Sequence, residues 1–179
     1  MKRHYYRIAL SVILVAAALI RIWGLGYDLP GIYHPDEPDY IRISQRIFKT
    51  GDLNPKAFNY PSLFFYIQAS AYAPYYAVGK LLGNFNHPDD IAAPTTLIMG
   101  TTQTAMPATV LLGRGVTVTL AVASVLLAAL IGRQLTGQPL VGLLAGSMLA
   151  ISPTHVFNSR FITPDAVVTF FALLTTWFA

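Results

Sequence analysis

Ser62–Leu82 reads SLFFYIQASAYAPYYAVGKLL, and whether this stretch crosses a membrane decides the topology of the whole chain. It has the length, since a helical span takes about 20 residues. Pro74 and Gly79 interrupt it, and Tyr66, Tyr72, Tyr75 and Tyr76 are many hydroxyls for a helix buried in lipid. Amphipathic rings favour the membrane–water interface. The stretch therefore reads as a helix that lies in, or dips into, one interface, with crossing as the alternative.

Its surroundings are those of an integral membrane protein. The 179-residue chain is 54% hydrophobic and only 11% charged, where soluble domains carry about 25% charge, and its mean hydropathy is +0.52. The net charge of +4 forms no basic patch suited to nucleic acid. There is no cysteine, so a disulfide framework, a thiolate metal site and a cysteine nucleophile are all excluded.

The spans are expected at about 8–24, 113–131, 138–153 and 165–179. The first follows Lys2, Arg3 and Arg7, which argues for a cytoplasmic N-terminus. Trp23 and Tyr27 end it as interfacial aromatics, and Arg21 directly after the apolar core argues against a cleaved signal peptide. A loop over 25–112 follows, with helices expected at about 38–50 and 62–82. In the first of these, Ile41, Ile43, Ile47 and Phe48 form an apolar set between Arg42, Arg46 and Lys49, the pattern of a helix along a membrane surface. Pro38 suits its first turn and Gly51 its end. If 62–82 does not cross, this loop and Asp165 share the outer face and Arg133 lies inside. If it does cross, Asp165 and Asp36 face opposite compartments. The last apolar run ends at Thr175-Thr176-Trp177-Phe178-Ala179 with no polar flank, so the chain reads as the N-terminal portion of something longer. The expected fold class is all-α and polytopic.

Within the loop, His34-Pro35-Asp36-Glu37-Pro38-Asp39-Tyr40 holds three of the 8 acidic residues. Ionisable groups beside a bilayer are costly and tend to mark function. Asp36 and Glu37 precede a helix start, where the helix dipole favours negative charge. Ordinary turn chemistry of Pro and Asp is the competing reading. Asp165 sits behind Pro164 at the mouth of the last span, either functional or as a helix N-cap.

Several segments resemble a known family: Arg21-Ile22-Trp23-Gly24-Leu25-Gly26, His34-Pro35-Asp36-Glu37, Thr50-Gly51-Asp52-Leu53-Asn54-Pro55, Tyr60-Pro61-Ser62-Leu63, Leu112-Gly113-Arg114, the Arg133 turn, Ser159-Arg160-Phe161 and Thr163-Pro164-Asp165. In order and spacing they resemble the N-terminal region of membrane glycosyltransferases of the GT-C superfamily. The group is that of the protein O-mannosyltransferases (glycosyltransferase family 39 type) and bacterial aminoarabinose transferases. The resemblance implies a polyprenyl-phosphate-linked sugar donor, juxtamembrane helices in the first outer loop, Asp36 as the catalytic acid of that loop and Asp165 as a second acid on the next outer loop. Family members carry more spans than this chain. Asn59-Tyr60 stands where the aminoarabinose branch has an acidic–basic pair, which puts that sugar in doubt.

Transfer from a lipid phosphate needs a base for the acceptor hydroxyl, in-line access to the anomeric carbon and cations for the departing phosphate. Asp36 is read as the base. Glu37 orients the acceptor, binds a divalent metal with His34 and Asp36, or is simply solvated; His87-Pro88-Asp89-Asp90 looks superficially similar, and no metal site is assigned. Arg160 and Lys56 are the candidates for donor phosphate, against membrane-edge snorkelling for Arg160 and solvation for Lys56. Arg42 is plausible there too, against a solvated loop charge, and His155 reads as an interfacial residue rather than a base. The tyrosines of 66–76 either line an acceptor groove or pack at the interface. The acceptor is a protein, lipid or glycan hydroxyl, in the setting of cell-envelope glycan assembly. A membrane transporter and a non-catalytic scaffold or assembly subunit are the alternatives, although the runs 115–131 and 139–151 carry no ionisable group of the kind a transport pathway uses.

Overall fold

A computed structural model describes residues 3–97 and 100–179; Lys2 of the basic N-terminal group lies outside the described residues. Seven α-helices appear among them: α1 (Arg3–Ile22), α2 (Glu37–Thr50), α3 (Ser62–Leu81), α4 (Pro107–Thr136), α5 (Pro139–Ile151), α6 (Pro153–Asn158) and α7 (Pro164–Phe178). The fold is all-α, as expected. One addition was not legible in the sequence: a three-stranded antiparallel sheet, β1 (Gly31–Ile32), β2 (Thr95–Thr96) and β3 (Thr102–Gln103), in the order β1-β3-β2. Gly31 pairs with Gln103 and Thr95 with Gln103 on its other side.

Among the described residues, two helices are long and apolar enough to cross a membrane, α1 and α4. At 1.5 Å per residue, the 30 residues of α4 run about 45 Å, more than the ~30 Å hydrocarbon core. The 13 residues of α5 give only about 20 Å by the same rise. Pro153 opens a new helix after Ser152, because a proline cannot continue the hydrogen-bond ladder. α3 has the length for a span but not the apolarity.

The chain divides into two compact units. The first comprises Met1–Leu25, Thr117–Arg160 and Pro164–Ala179. Here α1 packs on α5 around buried Ala17, Val125 and Ala150, with Ile13, Leu14 and Leu149 at the edge. Residues 117–136 of α4 approach α5 closely because glycines face it. A Cβ on Gly142 would lie 2.4 Å from the Ala129 carbonyl oxygen, and one on Gly146 would lie 2.9 Å from the Ala129 Cβ. Small residues at such contacts let helix backbones meet. Ile8, Val12, Val15, Leu19 and Ile22 stay exposed along α1, the 3–4 spacing of a single helix face.

The second unit comprises Gly26–Val116 and Phe161–Thr163. Its main packing is α2 on α3. Tyr40 sits edge-on to Tyr60 and Phe64, with centroids 5.2 and 5.3 Å apart. Tyr72, Phe85 and Ile91 form a second buried cluster. Phe85 lies so close to Gly79 that a Cβ there would come within 2.1 Å of its ring, which accounts for glycine inside α3. The apolar face of α2, expected along a membrane surface, is instead largely spent on protein: Tyr40, Ile41 and Ile47 are buried. Gly51 closes α2 in the left-handed conformation, its N–H donating to the Ile47 carbonyl at 3.0 Å.

Candidate functional site

The second unit is built around one guanidinium. Arg114, on α4, donates from Nη1 and Nη2 to the two carboxylate oxygens of Asp28 at 2.7 and 3.0 Å. It donates from Nε and Nη2 to Oε1 and Oε2 of Glu37 at 2.9 and 2.7 Å. The Ile162 N–H adds a bond to Glu37 Oε1 at 2.9 Å. The three side chains are 1% exposed or less. The planar fork of arginine matches two carboxylates as a lysine ammonium cannot. The Arg114 guanidinium also lies 5.3 Å from the Phe161 ring centroid, and the His34 ring is 5.1 Å from the same ring. One cation faces two carboxylates, so the Ile162 amide supplies part of the missing positive end. Burial pushes the Asp28 carboxyl up, but the hydrogen bonds and charge of Arg114 outweigh it and hold Asp28 below the usual carboxylate range.

This clamp separates two neighbours that look alike in sequence. Glu37 turns inward and has both oxygens occupied. Asp36 turns outward. It stands at the N-cap of α2 yet makes no side-chain cap bond; only its carbonyl is used, by the N–H groups of Asp39 and Tyr40. Its carboxylate is thus open to solvent, and it lines a cavity of about 390 Å³ with Asp39, Tyr40, Arg42, Lys56, Asn59 and Tyr60. That volume falls within the range of about 300–1,000 Å³ typical of small-molecule sites.

Asp36 and Lys56 therefore share one cavity. Lys56 has a left-handed backbone, φ 56°, held by its N–H on Asn54 Oδ1 at 2.9 Å, and its Nζ lies 4.0 Å from Asp52. Arg42 is tied by Asp39 at 2.7 Å, Thr96 at 2.9 Å and the Pro94 carbonyl at 3.3 Å. The other two candidates belong to the first unit. Asp165 is exposed in the first turn of α7, where Thr169 Oγ1 donates to its carbonyl at 2.8 Å. Arg160 donates from Nη2 to the Ile20 carbonyl at 2.7 Å.

His87-Pro88-Asp89-Asp90 serves a local turn. The Asp90 carboxylate accepts from the backbone of Asn86 and His87 at 2.6 and 2.8 Å. Among the described residues, no three His, Asp or Glu side chains are grouped closely enough to hold a metal ion.

Asp28 was missed in the sequence, and Arg114 entered only through the motif Leu112-Gly113-Arg114, with no partner assigned. Their partners lie 86 and 77 residues apart in sequence, so no local pattern reveals the pairing. The available signal was an arginine against an apolar run, which needs a counter-charge.

Residues 95–178 match the family model described as dolichyl-phosphate-mannose-protein mannosyltransferase. No curated protein matches the chain, and no solved structure does. The matched stretch is similar to a glycosyltransferase of the mannosyltransferase type and contains the motifs Leu112-Gly113-Arg114 and Ser159 to Asp165. The motifs of residues 21–63, with Asp36 among them, fall outside the match.

Proposed function

From that match as premise, we propose that this protein transfers a sugar from a polyprenyl-phosphate donor to an acceptor hydroxyl, with inversion, using Asp36 as the base. The Asp36 carboxylate takes the acceptor proton as the oxygen attacks the anomeric carbon. The bond from that carbon to the phosphate oxygen breaks on the opposite side, and its electron pair leaves with the phosphate. General-base assistance of this kind contributes about 10²–10⁴-fold. The single observation that supports it is the cavity in which Asp36 stands with an uncommitted carboxylate beside Lys56, Asn59 and Tyr60.

Glu37 acts as a positioning residue, fixing the start of α2 and so the direction of Asp36. Lys56 and Arg160 meet phosphate charge. Asp165 is the second acid, and an acceptor presented as a protein hydroxyl fits the family description. The site faces the outer side of the cell membrane in a multi-pass protein with its N-terminus in the cytoplasm. The limited apolarity of α3 supports this arrangement, because a non-crossing α3 puts Asp36 and Asp165 on one side.

The test is donor class. The protein in lipid nanodiscs is given mannose as polyprenyl phosphate mannose or as a nucleotide diphosphate sugar, with a serine/threonine peptide as acceptor. Release of polyprenyl phosphate together with mannosyl peptide is expected. Transfer from the nucleotide sugar alone would sink the reading.

A further inference from the structure

Among the described residues, Lys56 is the one non-glycine residue with a left-handed backbone, φ 56°. Gly24, Gly51, Gly83, Gly100 and Gly137 fill the other such positions. A Cβ makes this conformation costly, and such strain persists only where the surroundings impose it.

The surroundings are a ladder of side-chain-to-backbone bonds at every second residue. The N–H of Asp52 donates to Thr50 Oγ1 at 3.1 Å, that of Asn54 to Asp52 Oδ1 at 3.0 Å and that of Lys56 to Asn54 Oδ1 at 2.9 Å. The ladder is tied to both flanking helices. From α2, Arg46 donates from Nη1 to Asp52 Oδ2 at 3.3 Å and from Nη2 to the Asn54 carbonyl. From α3, the Tyr66 hydroxyl donates to the Leu53 carbonyl at 2.9 Å. Pro55 is buried, fixes its own φ and restricts Asn54 before it.

Asp52 is the hub. One of its oxygens holds the Asn54 N–H; the other lies 3.3 Å from Arg46 and 4.0 Å from Lys56 Nζ. The Asn54 amide, then the charges of Lys56 and Arg46, hold its carboxyl below the usual range. Beyond the hub, Pro55, Lys56, Ala57, Asn59 and Tyr60 form one side of the cavity that Asp36 lines. Arg42, the other cation there, is tied down by Asp39, Thr96 and the Pro94 carbonyl. Lys56, with an exposed side chain and its Nζ at 4.0 Å from Asp52, keeps donors for a substrate.

We propose that Asp52 is a positioning residue for transfer: through Asn54 it fixes the backbone of Lys56, and so holds that ammonium at the wall of the Asp36 cavity before substrate arrives. That Lys56 meets substrate there rests on the transfer reading above; that Asp52 sets its backbone and reach rests on the loop alone.

The test is steady-state transfer by the whole chain in lipid nanodiscs, with polyprenyl phosphate mannose and the serine/threonine peptide, alongside melting temperatures and amide exchange. Lys56→Gly relieves the left-handed residue, so its melting temperature is expected at or above the parent's. Its KM for the donor is expected to rise about tenfold, as for the loss of one charged hydrogen bond. Asp52→Ala is expected to raise the same KM with kcat unchanged. In the Lys56→Gly background it is expected to add nothing, because it acts through that side chain. Penalties that add in the double variant, or an unchanged KM in Asp52→Ala, overturn the assignment. Hydrogen exchange at the Asn54 and Lys56 amides needs no turnover. Asp52→Ala is expected to speed it, and unchanged exchange overturns the ladder whether or not the protein transfers. A parent with that exchange response but no transfer from lipid-linked mannose overturns the transfer reading, not the ladder.

Discussion

Arg114 and Glu37 meet through two parallel hydrogen bonds, Nε to Oε1 at 2.9 Å and Nη2 to Oε2 at 2.7 Å, with neither side chain more than 1% exposed. The pair joins α4 to the first residue of α2, and Asp36 is the residue before it. A structural ion pair thereby sets the direction of the proposed base.

Removing Arg114 strands two buried carboxylates. Breaking a buried ion pair from one side costs about 3–5 kcal/mol. Arg114→Gln is therefore expected to lower the melting temperature sharply and to abolish transfer. Arg114→Lys is expected to recover little of either, since an ammonium cannot bond Asp28 and Glu37 each through two atoms. A lysine variant with full stability would show that charge alone suffices.

Stability is expected to fall with acid in two windows. Burial, then the charge of Arg21, lowers the His155 imidazole, which is neutral in the fold while its unfolded counterpart, near 6.5, takes a proton. Its contribution is whole above that value and is lost as pH falls toward about 4. Asp28 is held below the carboxylate range, so its contribution is whole above roughly pH 4 and is lost on further acidification. Thermal melts from pH 7.5 to 3 check both. His155→Gln is expected to flatten the upper window and leave the lower one; an unchanged upper window would contradict the assignment.

The contact of α5 with residues 117–136 of α4 depends on the missing side chain at Gly142. A Cβ there meets the Ala129 carbonyl oxygen at 2.4 Å and the Arg133 Cβ at 2.9 Å, both attached to helix backbone. Gly142→Ala is expected to cost about 1–3 kcal/mol, the usual range for overpacking. The same change at Gly115, inside α4 with nothing within 4 Å, is the control and should raise the melt slightly, because alanine favours a helix over glycine by about 0.5–1 kcal/mol.

Helices were the legible part of this chain. Pro38 and Gly51 marked the ends of α2 because proline fixes a first turn and glycine accepts a left-handed φ, here 70°. Gly79 and Pro74 were read as interruptions of 62–82, yet α3 runs through both; tertiary packing of Phe85 on Gly79 overrides local preference. At the site, the acidic group 34–40 drew attention to both Asp36 and Glu37, with Asp36 read as the base. The burial of Glu37 was not legible, because its partners come from distant segments. Arg21 shows the same limit: three of its four acceptors are backbone carbonyls, two of them in α5, and backbone groups leave no sequence signature.

Topology has a direct check, since the chain contains no cysteine. Single cysteines at Tyr33, Asn84 and Phe157 occupy exposed positions. In intact cells all three are expected to react with a membrane-impermeant thiol reagent. Labelling at Tyr33→Cys without Asn84→Cys and Phe157→Cys would mean that α3 crosses, and would put Asp36 and Asp165 on opposite sides.

The measurement that bears most directly on the central claim is transfer by Asp36→Asn, assayed with polyprenyl phosphate mannose and a serine/threonine peptide. Asp36 is exposed and makes no side-chain cap bond, so the substitution should leave the melting temperature near that of the parent. Transfer is expected to fall by about 10²–10⁴-fold, the contribution of a general base, with donor binding retained. A folded Asp36→Asn protein that still transfers mannose at the parental rate would contradict the account.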